Sequence, residues 1–109
     1  MSWITVAAVR DLLPGEMLRV DPADPEVYPI AVYNVNGTYY ATDDTCTHGA
    51  ASLGEEGYLD GSTIECGLHG GMFDVTTGAA TGLPCTIPLH RYATKVEDDV
   101  VYVSTDPTA

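Results

Sequence analysis

Two short arms of sequence decide the fold: Cys46-Thr47-His48-Gly49 and, after a gap of 17 residues from His48 to Cys66, Cys66-Gly67-Leu68-His69-Gly70. Each arm pairs one thiolate with one imidazole, and each is short enough for both side chains to reach one small object. The Gly after each His lets the backbone fold closely around a bound group and point its amides inward. The pattern predicts a metal site.

The distribution of ligands between the arms indicates which metal is bound. Zinc fingers usually group two Cys on one arm and two His on the other. Here each arm supplies one of each, which also suits a [2Fe–2S] centre whose irons take two Cys and two His respectively. Two alternatives are open: a structural zinc-binding β-module, and a Cys hydrolase, although the latter needs only one thiolate with a His base and an oxyanion hole.

The sequence on both sides of the arms is typical of β-hairpins. Asn36 and Gly37 separate two aromatic and β-branched runs, and an Asn-Gly pair in this place is a strong hairpin signal because both turn residues need positive φ. A second hairpin is predicted around the turn at Glu97, Asp98 and Asp99. The predicted strands of this part of the chain cover residues 3–9, 16–21, 28–35, 38–42, 91–96 and 100–104.

The middle of the chain, residues 43–88, is rich in Gly and reads as a loop-dominated insertion. Only two short strands are predicted there, at residues 63–66 and 72–75, and no helix longer than a turn or two. We therefore expect one all-β domain over residues 1–109. Its base would comprise roughly residues 1–43 and 87–109, and a smaller metal-binding insertion would comprise roughly residues 44–86.

Composition excludes several classes of function. The 109 residues include 16 Asp and Glu against 4 Lys and Arg, a net charge of −12 that argues against nucleic acid or an anionic membrane as partner. Three Cys are too few for a disulfide scaffold. No Lys or Arg occurs between Val20 and His90, which indicates a solvated acidic surface, a docking face for a basic partner, or the surroundings of a buried metal.

Targeting signals are not apparent. Residues 1–9 lack the basic start of a secretory signal, and no stretch approaches the roughly 20 apolar residues of a membrane span. We expect a soluble cytoplasmic protein, in which Cys residues are more often metal ligands or free thiols than disulfides.

The two arms, with a third loop at residues 82–88 whose proline-bearing part is residues 84–88, resemble the Rieske iron–sulfur signature. The resemblance covers nearly the whole chain and is closest to the ferredoxin components of bacterial aromatic-ring-hydroxylating dioxygenase systems, such as the biphenyl, toluene and naphthalene ones. It implies a Rieske fold, with an antiparallel β-sandwich base, and one [2Fe–2S] cluster. Cys46 and Cys66 would bind the inner iron, and His48 and His69 the outer one.

The resemblance also implies a function in aromatic hydrocarbon catabolism. The chain would be a monomeric one-electron carrier that accepts from an NAD(P)H-dependent flavin reductase and delivers to a terminal Rieske non-heme iron oxygenase. Both partners would dock at His48, His69 and residues 82–88. It would not itself be an enzyme, since the sequence has no dinucleotide fingerprint and no mononuclear iron triad. A different acceptor, such as a nitrite reductase, is the alternative within the same chemistry.

Departures from the respiratory relatives predict a low potential. Those proteins carry a disulfide between the arms, where this chain has Ala51 and Leu68. They also carry a Ser and a Tyr that donate hydrogen bonds to cluster sulfurs, where this chain has Gly71 and Phe73. Without these donors we expect a potential of roughly −150 mV. Cys85 is expected to be a free, shielded thiol of the third loop, or else a labile thiol near the metal.

Overall fold

The computed structural model describes residues 3–47, 51–67 and 70–108. Strands dominate these residues, with one 3-10 turn (Val9–Asp11) and a single turn of helix, α1 (Leu53–Glu56). The strands are β1 (Trp3–Ala8), β2 (Met17–Val20), β3 (Ile30–Val35), β4 (Thr38–Asp43), β5 (Tyr58–Asp60), β6 (Thr63–Glu65), β7 (Met72–Asp74), β8 (Ala80–Gly82), β9 (Arg91–Glu97) and β10 (Val100–Thr108).

Both predicted hairpins are confirmed. The β3–β4 turn has φ of 53° at Asn36 and 90° at Gly37, the left-handed pair that a two-residue turn requires. The β9–β10 turn uses Asp98 and Asp99 in the same way, with φ of 51° and 61°. Asp is one of the few residues with a side chain that tolerates this conformation.

The base is an antiparallel sheet of six strands in the order β1-β10-β9-β4-β3-β2, which curves toward a barrel. The pairing of β4 with β9 matters most for the site, because it sets Ala41 opposite Tyr92 and Thr42 opposite Arg91. A further bond from the Asp43 N–H to the His90 carbonyl, 3.0 Å long, continues the pairing. The middle of the chain therefore leaves and rejoins the base at neighbouring points.

The middle segment forms a second antiparallel sheet, in the order β5-β6-β7-β8. The predicted strands at residues 63–66 and 72–75 are confirmed as β6 and β7, whereas β5 and β8 were not predicted. Ser52 is the N-cap of α1, and its hydroxyl accepts a 3.3 Å bond from the Glu55 N–H. Among the described residues, no helix combines the length and the apolar character needed to cross a membrane.

Strand β3 separates two hydrophobic cores. Because successive side chains of a strand point to opposite faces, Ile30 and Val32 pack into the core of the base, while Ala31 and Tyr33 pack toward the insertion. All four are fully buried, which explains the continuous apolar run. The core on the insertion side of β3 also contains all three cysteines. The predicted Cys ligands are therefore buried in the hydrophobic core of the insertion.

Candidate metal centre

The first arm is a closed loop that starts at the end of β4. The Cys46 N–H donates a 3.0 Å bond to the Ala51 carbonyl, and Thr45 and Ser52 form an isolated β-bridge just outside it. The Cys46 side chain is 3 % exposed. The loop thus returns on itself over five residues and turns its thiol into the core.

The second arm, which follows β6, is closed in the same way. The Cys66 N–H donates a 2.7 Å bond to the carbonyl of Gly71, again five residues further along. The Gly70 N–H returns a 3.0 Å bond to the Cys66 carbonyl, and Gly70 has a φ of 74°, which favours glycine. Cys66 is 1 % exposed. The two predicted Cys ligands therefore occupy equivalent places in two similar loops.

The third loop brings Cys85 against the first arm. Its Sγ lies 3.6 Å from the Sγ of Cys46, and Cys85 is buried and forms no disulfide, as expected from the sequence. Burial, followed by the neighbouring thiols of Cys46 and Cys66, raises the pKa of Cys85 to about 12. Cys85 is therefore a thiol close to the predicted site rather than a remote one.

The predicted imidazole ligands His48 and His69 lie outside the described residues. Within residues 3–47, 51–67 and 70–108, no three or more His, Cys, Asp or Glu side chains form a group that could hold a metal ion. The donors that are described nevertheless fit a [2Fe–2S] cluster, since two buried thiols from two loops lie in the same core. The sequence adds one His to each of those loops.

The third loop also covers one side of the first arm. The Thr47 hydroxyl donates a 2.7 Å bond to the Ile87 carbonyl, and the Cys85 N–H donates to the Gly82 carbonyl at 3.1 Å. Leu83 and Ile87 are 81 % and 61 % exposed. The third loop therefore leaves two large apolar side chains in solvent.

Asp44 has a role that the sequence did not indicate. It belongs to the acidic stretch interpreted as a possible surface, yet it is 1 % exposed. Its Oδ1 accepts a 2.8 Å bond from the Gly54 N–H, and its Oδ2 lies 3.7 Å from the guanidinium of Arg19. Asp44 is therefore a buried residue that supports the start of the first arm. Its burial depends on contacts with Gly54 and Arg19, which are distant in the sequence.

The remaining His of the chain, His90, lies on the base. Its Nδ1 is 3.0 Å from Oδ2 of Asp43, and the Tyr92 hydroxyl donates a 2.6 Å bond to the other oxygen of that carboxylate. Burial and the Asp43 charge raise the pKa of Tyr92. These contacts tie β9 to the end of β4 and leave His90 73 % exposed.

Comparison with known proteins agrees with this geometry. A family model described as the Rieske [2Fe-2S] domain matches residues 2–93. Ferredoxin CarAc of Metapseudomonas resinovorans is 48 % identical over 94 % of this chain and 92 % of its own length. The ferredoxin component of the p-cumate 2,3-dioxygenase system of Pseudomonas putida is 44 % identical, over 92 % and 83 %.

Solved structures give the same result. The structure described as a complex of reduced oxygenase and oxidized ferredoxin in carbazole 1,9a-dioxygenase contains a chain with a TM-score of 0.92 and 46 % identity, covering 98 % of this chain and 96 % of that one. The ferredoxin of Sphingomonas yanoikuyae B1 has a TM-score of 0.84 and 41 % identity, covering 94 % and 97 %. The chain belongs to the Rieske [2Fe-2S] domain family, among its ferredoxin components of dioxygenase systems.

Proposed function

We propose that Cys46, His48, Cys66 and His69 hold one Rieske [2Fe–2S] cluster, and that the chain passes single electrons from an NAD(P)H-dependent flavin reductase to a terminal Rieske non-heme iron oxygenase. The observation that carries the proposal is the equivalence of the two arms. In each, a buried Cys closes a five-residue return through its own N–H, and each return contains one His in the sequence.

The burial of the two cysteines indicates their role at the cluster. The cluster supplies reversible uptake of one electron. Cys46 and Cys66 face the core and exclude water from the sulfur-ligated side. If four protein ligands saturate the two irons, no position is open to substrate. The chain then serves as a carrier, in agreement with relatives named as ferredoxin components.

The oxygenase is supported as a partner by the relative whose structure is described as a complex of oxygenase and ferredoxin. On this chain the corresponding docking surface would combine Leu83 and Ile87 with the His edge of the arms. A carrier with one cluster must release one partner before it meets the next, which suits a small and transient interface.

The reductase and the setting are inferred from the chain itself. With no nucleotide-binding fingerprint in its sequence, the chain must receive electrons from another protein. Exposed Glu55, Glu56 and Asp60 on the insertion would attract basic patches on both partners and increase encounter rates. We further propose that the chain acts as a monomer in the cytoplasm, with residues 1–43 and 87–109 as its base and residues 44–86 as its cluster-binding insertion. The grouping of the strands into two sheets supports that division.

A stopped-flow experiment tests the electron transfer. The chemically reduced protein is mixed anaerobically with the oxidised terminal oxygenase of a carbazole or p-cumate system, and reoxidation is followed in the visible spectrum. We expect one electron per chain to be transferred, and NADH with a flavin reductase to replace the chemical reductant. Transfer to a nitrite reductase but to no oxygenase would instead favour the other acceptor.

A further inference from the structure

A side chain at position 71 and the thiol of Cys85 would occupy the same space. A Cβ added at Gly71 would overlap the Sγ of Cys85 and would lie 3.1 Å from the Cys85 Cβ and 3.2 Å from its backbone N. No side chain fits at position 71 while the Cys85 thiol keeps its place. The absence of a side chain at position 71 therefore makes room for a sulfur from the third loop.

The thiol that fills this space points at a predicted ligand. Its Sγ lies 3.6 Å from the Sγ of Cys46, within the reach of a hydrogen bond between sulfur atoms. Geometry alone allows either sulfur to donate. A Cys that binds metal does so as a thiolate and has no proton to give. Once Cys46 binds iron, the donor can only be Cys85.

We propose, on the basis of the function given above, that Cys85 is a positioning residue that raises the reduction potential through an S–H···S hydrogen bond to Cys46. Reduction adds negative charge, part of which resides on the ligand sulfurs, and hydrogen bonds to these sulfurs stabilise the reduced state. The Cys85 thiol thus donates a hydrogen bond to a ligand sulfur from the third loop. A hydroxyl at position 71 would be the corresponding donor from the second arm.

The surroundings favour a persistent bond. Cys85 is 3 % exposed, so water does not compete for the sulfur of Cys46 on this side. The third loop is fixed at two points, by the Cys85 N–H on the Gly82 carbonyl and by the Thr47 hydroxyl on the Ile87 carbonyl. The second contact joins the third loop to Thr47, the residue that follows Cys46. The loop segments that carry the two sulfur atoms are therefore fixed relative to each other.

The first test compares Cys85→Ala with Cys85→Ser by protein-film voltammetry on the iron-loaded protein. Loss of one hydrogen bond of ordinary strength should change the equilibrium constant for reduction about fivefold, or about 40 mV at 59 mV per tenfold change. We expect Cys85→Ala to have the lower midpoint by this amount, and Cys85→Ser, which keeps a donor, to recover at least half of the difference. Leu83→Ala, in the same loop without a donor, is the control and should leave the midpoint unchanged.

A second measurement on the wild-type protein is independent of whether the variants load iron. Exchange into D2O should shift the Fe–S(Cys) stretching bands in the resonance Raman spectrum of the wild-type protein. Where Cys85→Ala loads iron, its shift should be smaller. An equal midpoint in Cys85→Ala, or, if that variant does not load iron, wild-type bands unaffected by D2O, would overturn the inference. Either result would leave the proposed function intact, whereas a wild-type protein without iron would overturn the proposed function itself.

Discussion

The N–H of Gly54 donates a 2.8 Å hydrogen bond to Oδ1 of Asp44, a carboxylate that is only 1 % exposed. The neighbouring Leu53 N–H donates to the Asp44 carbonyl, also at 2.8 Å. The single turn of α1 is thereby fixed to the residue two positions before Cys46. A buried carboxylate thus links α1 to the chain immediately before the first arm.

Removal of this carboxylate should destabilise the fold. We expect Asp44→Ala to lower the free energy of unfolding by about 2 kcal/mol, because the buried Gly54 N–H loses its acceptor. Urea unfolding followed by far-UV circular dichroism measures the change. Asp21→Ala is the matched control, since Asp21 also contacts Arg19 but is exposed, and exposed ion pairs contribute little. Equal stability of Asp44→Ala and the wild type would contradict the supporting role.

A methyl group at position 71 should be more costly while the Cys85 sulfur is present. We expect Gly71→Ala to destabilise the protein by about 1–3 kcal/mol, as overpacking in a core usually does. In the double variant with Cys85→Ala, the cost should be clearly less than the sum of the two single changes, because the overlapping sulfur is gone. The double-mutant cycle is measured by urea unfolding.

Gly61→Ala is the control for that cycle. Gly61 has a φ of 59° with no atom within 4 Å of an added Cβ, so its cost of about 1 kcal/mol comes from backbone strain and should not depend on Cys85. Strict additivity between Gly71→Ala and Cys85→Ala would show that the two positions do not share space.

A hydroxyl at position 73 should raise the midpoint potential. Phe73 is fully buried in the core that contains the three cysteines, so the hydroxyl of Phe73→Tyr would have little access to water. Donation to a cluster sulfur would stabilise the reduced state by an amount on the order of 1 kcal/mol, or about 40 mV. Protein-film voltammetry measures the shift. Phe73→Leu, which adds no donor, should show no rise, and an unchanged or lower value for Phe73→Tyr would rule out the explanation.

The exposed apolar residues of the third loop should affect docking without affecting redox chemistry. We expect Leu83→Ala to raise the KM for this protein in oxygenase-coupled turnover several-fold while the midpoint stays the same. Val96→Ala is the control, since Val96 is also exposed, at 48 %, but lies near the end of β9, next to the β9–β10 turn and outside the third loop. An equal effect at both positions would mean that the third loop is not the docking surface.

Charge should contribute to the rate of encounter. With a net charge of −12 and no Lys or Arg between Val20 and His90, association with basic partners should slow as salt screens the attraction. Rates of electron transfer to the oxygenase, measured by stopped flow at increasing ionic strength, should fall. Rates that are independent of salt would show that the acidic surface does not steer either partner.

The sequence allowed prediction of the parts of this fold that depend on local chemistry. The Asn36-Gly37 pair determines its hairpin through backbone sterics alone, and the spacing of Cys and His within each arm is itself a local feature. Strands β5 and β8 were missed because their formation depends on pairing with the neighbouring strands β6 and β7.

Long-range contacts explain what the sequence could not reveal about the site. Asp44 resembles its acidic neighbours in the sequence, and its burial depends on Gly54 and on Arg19 from β2. Cys85 was recognised as a shielded thiol, but its contact with Cys46, 39 residues away, depends on the path of the third loop. The positions of His48 and His69 lie outside the described residues, so their role as ligands stays a prediction.

The most direct test of the central claim is electron paramagnetic resonance of the purified, dithionite-reduced protein, read together with its iron content. A Rieske cluster held by Cys46, Cys66, His48 and His69 predicts a red-brown protein with two irons per chain and a rhombic signal whose average g lies below two. A colourless, EPR-silent protein that contains zinc would contradict the account.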